Sequence, residues 1–148
     1  MSTKQIRMLC YIIKRKWGMN FKKSKMVAFA LEIYGGSIVF VNNIPYDSMV
    51  KALKEDGEFF TKEFVEHIES NKSTIEPVTN GAITVTNGFE SLIILGKQTD
   101  YLNFHNSLSH EVFHTVHATL KRKGFKLTNA SEEAYAYLTG WITEKILM

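Results

Sequence analysis

The sequence predicts an α+β fold: a small mixed or antiparallel sheet with hairpins, packed against helices. Three observations predict it. Apolar, partly β-branched segments are interrupted by the dipeptides Gly35-Gly36 and Asn87-Gly88, both hairpin signals. Two central stretches, Asp47 to Glu55 and Glu58 to Ser70, carry apolar residues at helical spacing. The last third of the chain then reads as two more helices. Sheet, helices, hairpin, helix, helix is an α+β order rather than an alternating βαβ one.

Taken in order, Arg7 to Ile13 favours strand by its Tyr and Ile content, with helix left open. Lys25 to Tyr34 and Ser37 to Asn42 are expected as strands joined at Gly35-Gly36, because glycine takes positive φ freely. Asp47 to Glu55 is expected helical, with Asp47 a candidate cap. Phe60, Phe64, Val65 and Ile68 share one helical face, so Glu58 to Ser70 reads as a second amphipathic helix. Glu69 to Asn80 is rich in Ser, Thr and Asn and reads as a loop. Ala82 to Thr86 and Phe89 to Leu95 flank Asn87-Gly88, expected as a two-residue turn. A helix is expected from about Asn103 to Lys121, stopped by Gly124. Asn129 or Ser131 starts the last one.

Composition narrows the function classes. A chain of 148 residues fits one domain, 1–148, and is long enough to bury a core. Charged residues at 22% beside 45% hydrophobic ones suit a soluble globular protein. The net charge of +3 does not call for nucleic acid. The clusters Lys14-Arg15-Lys16, Lys22-Lys23-Lys25 and Lys121-Arg122-Lys123 read as solvated faces, since no nucleic-acid motif accompanies them. Cys10 is the single cysteine, which excludes an internal disulfide and suits a reducing compartment. The apolar run Met8 to Ile13 is too short to cross a bilayer, and the basic residues follow it rather than precede it. The expectation is a cytoplasmic protein with neither membrane nor nucleic acid as partner.

The segment that carries chemistry is His110-Glu111-Val112-Phe113-His114, an HExxH pattern. Histidines four apart on a helix project from one face, one turn apart, and can reach a single tetrahedral ion. Glu111 lies beside them and can polarise a metal-bound water. Leu108, Val112, Val116 and Leu120 recur every four residues on another face, which can pack inward. Nineteen residues after His114 comes Glu133, a carboxylate suited to a third ligand position that leaves a fourth for water. Glu133, Ala136, Tyr137 and Gly140 fall on one face, and the small residues there would let this helix approach the motif helix closely. Glu132 is the alternative ligand. It also suits the first turn of a helix or a capping box with Asn129. His117 lies near the metal face but seven residues from His110, so its candidate roles are secondary: oxyanion binding or support of a ligand. Tyr137, one turn beyond Glu133, is a candidate for orienting a ligand or steadying the oxyanion, or else a packed tyrosine. Leu120 stands where a metzincin would carry a third histidine, which excludes that class. His105 reads as structural or solvent-facing, and His67 has no assigned role.

HExxH followed by Glu133 within Glu133-Ala134-Tyr135-Ala136-Tyr137 resembles the gluzincins, including the thermolysin and aminopeptidase N groups. Leu108 to Leu147 also resembles short zincin-like proteins of bacterial phages and mobile elements. The resemblance covers roughly the last 60 residues. It implies zinc held by His110, His114 and Glu133, Glu111 as general base, and a hairpin strand before the motif helix as the edge that binds substrate. Phe89 to Leu95 is the strand expected there, with a free backbone edge onto which an extended peptide would add. The expected function is zinc-dependent hydrolysis of a peptide or protein substrate. The alternative is a phage or mobile-element structural or interaction protein, associated with a phage particle, whose metal site is structural or inactive.

Overall fold

The computed structural model describes residues 21–55, 57–77 and 81–148. The strand expected at Arg7 to Ile13, the cluster Lys14-Arg15-Lys16 and Cys10 lie outside them.

The architecture is α+β. Strands β1 (Lys25–Ala30) and β2 (Ser37–Asn42) are followed by helices α1 (Tyr46–Glu55), α2 (Lys62–Ser70) and the single turn α3 (Lys72–Ile75). Then come β3 (Ala82–Thr86), β4 (Glu90–Leu95), α4 (Tyr101–Arg122) and α5 (Glu132–Leu147). One four-stranded sheet runs in the order β1-β2-β4-β3. The β1–β2 and β3–β4 pairs are antiparallel, while β2 and β4 pair in parallel, Val39 opposite Leu92. The sheet is therefore mixed.

Both faces of the sheet are covered. Ile38, Phe40, Ile93 and Leu95 point to α4 and α5, joined by Phe104, Leu108, Val112, Val116, Leu120, Leu138, Ile142 and Ile146. Val39, Val41, Leu92 and Ile94 point the other way, to Met49, Leu53, Phe64, Val65 and Ile68. Burial on two sides explains why β2 and β4 read as continuous apolar runs rather than alternating ones. All twelve of their residues are buried.

This arrangement corrects one expectation directly. The strand expected as Phe89 to Leu95 has no free edge, because β4 bonds β2 on one side and β3 on the other. Its uninterrupted apolar sequence suits the centre of a sheet, where both faces are packed. The edge beside α4 is β3.

Several boundaries also move. β1 ends at Ala30, not Tyr34, and residues 31–36 form the connection, closed by Leu31 N–H donating to Gly36 O at 3.0 Å. In the second hairpin the central turn residues are Gly88 and Phe89 rather than Asn87-Gly88. Asn87 N donates to Glu90 O at 3.1 Å, and the Asn87 Oδ1 accepts from Phe89 N and Glu90 N. Asn87 thus takes the first of the four turn positions and braces the turn with its side chain, and Gly88, at φ 83°, takes the first central position. Helix α2 starts at Lys62 because Thr61 caps it, its hydroxyl accepting from Phe64 N. Part of the expected Glu69–Asn80 loop is helical, as the end of α2 and as α3.

Candidate functional site

Helix α4 carries the candidate site, and its ends are fixed by local chemistry. The Asp100 carboxylate accepts from Asn103 N at 2.9 Å, capping the N-terminus. At the other end Gly124 N donates to Lys121 O and Phe125 N to Leu120 O, with Gly124 at φ 86°. That pair of bonds is a Schellman motif, and it requires the left-handed residue that glycine supplies. The stripe Phe104, Leu108, Val112, Val116 and Leu120 is buried, as the four-residue repeat predicts, and this fixes the rotation of the helix.

With that rotation set, His110 and His114 stand on the exposed side of α4. Their Nε2 atoms approach to 3.0 Å, with ring centroids 4.7 Å apart. Two imidazoles on one tetrahedral zinc at 2.0–2.1 Å would place their nitrogens about 3.3 Å apart. The pair therefore fits two neighbouring ligand positions. Glu111 takes a different direction. It is buried, 5% exposed, and its Oε2 accepts from the Thr84 hydroxyl of β3 at 2.5 Å. The same hydroxyl lies 3.1 Å from the Glu111 main-chain oxygen.

Glu133 is not brought to the histidines. Among the described residues no group of three or more His, Cys, Asp or Glu is arranged to hold a metal ion. The reason is the rotation of α5. Tyr135, Leu138, Ile142 and Ile146 form its buried stripe. At about 100° per residue, Glu133 lies roughly opposite the centre of that stripe. Ala136 and Gly140, expected at a close helix–helix contact, are exposed, and a Cβ on Gly140 would meet nothing within 4 Å. Leucine and isoleucine bury far more apolar area than alanine and glycine, so they decide which face turns inward. Glu132 is exposed as well, on the first turn of α5. The donor set thus fits two zinc positions and leaves the third unfilled by this arrangement of α5.

The remaining candidates separate. His117 is exposed on α4, its ring stacked on Phe113 at 6.1 Å between centroids and 6.4 Å from the Tyr135 ring. Tyr137 is 60% exposed, so it is not a packed core tyrosine, and it lines an apolar cleft with Leu31, Ile33, Leu138 and Trp141. His105 lies in an edge-on contact with Tyr101, centroids 4.2 Å apart, and is structural. His67 stacks on Phe64 in the far helical layer.

Thr84 is the site residue that sequence reasoning missed. Strand alternation places Ala82, Thr84 and Thr86 on the α4 side of β3 and Ile83 and Val85 on the other. A threonine on the packed face of a strand is a detectable signal. Its partner, 27 residues away on a helix, is not.

Comparison with models of known protein families, with curated proteins and with solved structures finds no match to this chain.

Proposed function

We propose that this chain is a zinc-dependent peptide-bond hydrolase in which His110 and His114 hold the ion and Glu111 is the general base. The observation that supports the reading most is the convergence of the two Nε2 atoms at 3.0 Å on the helix that also carries Glu111, whose buried carboxylate is tied to the neighbouring strand. Zinc, when bound, supplies a Lewis acid that makes water a nucleophile near neutral pH. Glu111 takes the proton from the attacking water and passes it to the leaving amine. Glu133 is the carboxylate proposed for the third ligand position, which requires the first turn of α5 to swing towards His114. The exposed edge of β3, next to α4, offers main-chain groups to an extended peptide or protein substrate.

The deciding experiment combines zinc analysis of the purified protein with a peptide-library cleavage assay. Glu111→Gln keeps size and an acceptor for Thr84 but cannot take a proton. It is expected to leave zinc content and melting temperature unchanged and to lower the cleavage rate by ~10²–10⁴-fold. His114→Ala is expected to lose both zinc and activity, and Glu133→Gln to weaken zinc binding. Equal cleavage by the wild type and Glu111→Gln rejects the mechanism.

One observation favours a second reading. Glu133 is exposed and not joined to the histidine pair, which suits a zincin-like structural or interaction protein of a phage or mobile element with an inactive site. Zinc retained without cleavage of any peptide supports that reading instead.

A further inference from the structure

The Thr84–Glu111 contact joins an edge strand to the motif helix at the proposed base, and its geometry is unusually constraining. Glu111 is buried, and an ionised carboxylate can only accept hydrogen bonds, so the Thr84 hydroxyl is the donor. Of its two acceptors, the carboxylate oxygen at 2.5 Å is nearer than the main-chain oxygen at 3.1 Å, and a charged acceptor makes the stronger bond. The main-chain oxygen also accepts from the Thr115 hydroxyl at 3.2 Å. Thr84 occupies the middle of β3, opposite Ile93, and a β-branched side chain has few rotamers. The hydroxyl is therefore held by a strand, not by a loop.

The consequence concerns which oxygen of Glu111 can react. Oε2 is engaged by Thr84. Among the described residues, the buried side-chain atoms left without a partner are Asn42 Oδ1 and His105 Nε2. Oε1 of Glu111 is not one of them, and among the described residues no group donates to it, so this oxygen retains some access to solvent although the residue as a whole is buried. A carboxylate free to rotate would present either oxygen in many orientations.

We propose that Thr84 is a positioning residue: its hydroxyl fixes Oε2 so that Oε1 alone is presented for proton transfer. This inference rests on the hydrolase reading and adds to it the residue that orients the base. It assigns Thr84 no contact with substrate or metal.

The test uses Thr84→Val, which keeps shape and removes the donor, and Thr84→Ser, which keeps the donor. Thr84→Val is expected to lower kcat by ~10–10²-fold, the scale on which misplacement of a reacting group acts, with KM and zinc content unchanged. Thr84→Ser is expected to restore most of the rate. A thermal-stability cycle of Thr84→Val, Glu111→Ala and the double variant is expected to be non-additive, because the alanine, unlike the glutamine, removes the acceptor and the two side chains share one bond. Additive stabilities overturn the contact itself. Coupled stabilities with an unchanged kcat in Thr84→Val overturn positioning and leave the bond a structural tie. Equal losses in the valine and serine variants also overturn it, since packing rather than the hydroxyl is then responsible. A wild type that binds zinc but cleaves nothing overturns the hydrolase reading and the positioning role with it, whatever the cycle shows.

Discussion

Two glutamates, Glu90 and Glu111, are buried to within 5% exposure, and each is held by a threonine. A carboxylate removed from water is costly unless hydrogen bonds replace its hydration. Glu90 receives Thr61 N at 2.6 Å, the Thr61 hydroxyl at 2.9 Å and Asn87 Nδ2 at 3.4 Å. It therefore fastens the N-terminal end of α2 to the start of β4. Glu90→Ala leaves the Thr61 donors unpaired in a tight site, and a lost hydrogen bond to a charged group costs about 1.5–3 kcal/mol. Chemical denaturation is expected to show that loss for Glu90→Ala and a smaller one for Glu90→Gln, which keeps one acceptor. A Glu90→Ala variant as stable as the wild type would show that the bonds make no net contribution. None of this was legible beforehand. Glu90 opens an apolar run directly after a turn, and its main partner lies 29 residues back. By contrast, His110 and His114 were legible, because a spacing of four on a helix fixes their mutual direction whatever surrounds them.

The same contrast between local and distant causes holds for whole elements. Helix α4 was readable from about Asn103 because its apolar stripe and its Gly124 stop act within a turn or two, whereas the Asp100 cap, which starts it at Tyr101, went unread. Helix α5 was readable as a helix but not in its rotation. Ala136 and Gly140 suggested one contact face, and the aliphatic stripe Leu138, Ile142 and Ile146 made another. Two glycines turn this into a measurement. Gly36, at φ 96°, sits where Ser37 N donates to Phe89 O, and a Cβ there would lie 1.9 Å from that carbonyl oxygen. Gly36→Ala is expected to cost ~3 kcal/mol or more, or to prevent folding, since both steric overlap and a disfavoured φ oppose it. Gly140 lies inside a helix with open space around it. Gly140→Ala is expected to stabilise by about 0.5–1 kcal/mol through helix propensity alone. If Gly140→Ala instead destabilises while its helix content is retained, α5 packs through its small-residue face after all, and Glu133 then turns towards the histidines. The solvent face of α4 differs from those of α1 and α2. From Tyr101 to Leu120 its one Asp, Glu, Lys or Arg is the buried Glu111, whereas α1 and α2 carry paired surface charges such as Lys51–Glu55 and Lys62–Glu66.

At the scale of the molecule, the sheet separates two layers: α4 and α5 with the candidate site on one side, and α1 to α3 on the other. No described helix is long and apolar enough to cross a membrane. The sequence identified the α+β class but not the order of strands, because a parallel pairing between β2 and β4 spans some fifty residues and leaves no local trace. That crossover carries α1 to α3, and its packing sets how firmly β4, and through it β3, is held beneath α4. Tyr46 is a test of that far layer. It is buried, and its hydroxyl donates to Ile68 O at 2.8 Å, joining the start of α1 to the end of α2. Burial holds the Tyr46 phenol above its ordinary value of 10.0. A group whose folded-state pKa is raised contributes stability that is fully present below the unfolded value and is lost as pH rises through the folded one. Tyr46→Phe removes the hydrogen bond and the titration together. At pH 7 it is expected to be less stable than the wild type by about 1 kcal/mol, the usual net worth of a neutral hydrogen bond. Above pH ~10 the wild type alone loses stability at this site, so the gap between the two proteins narrows. Denaturant midpoints at both pH values read the difference directly, and other tyrosines cancel because both proteins contain them. A gap that stays constant from pH 7 to pH 11 means that the Tyr46 hydroxyl is not the donor holding α1 to α2. Since Tyr46 packs on the face of the sheet opposite α4 and α5, zinc binding by Tyr46→Phe at pH 7 is expected to match the wild type.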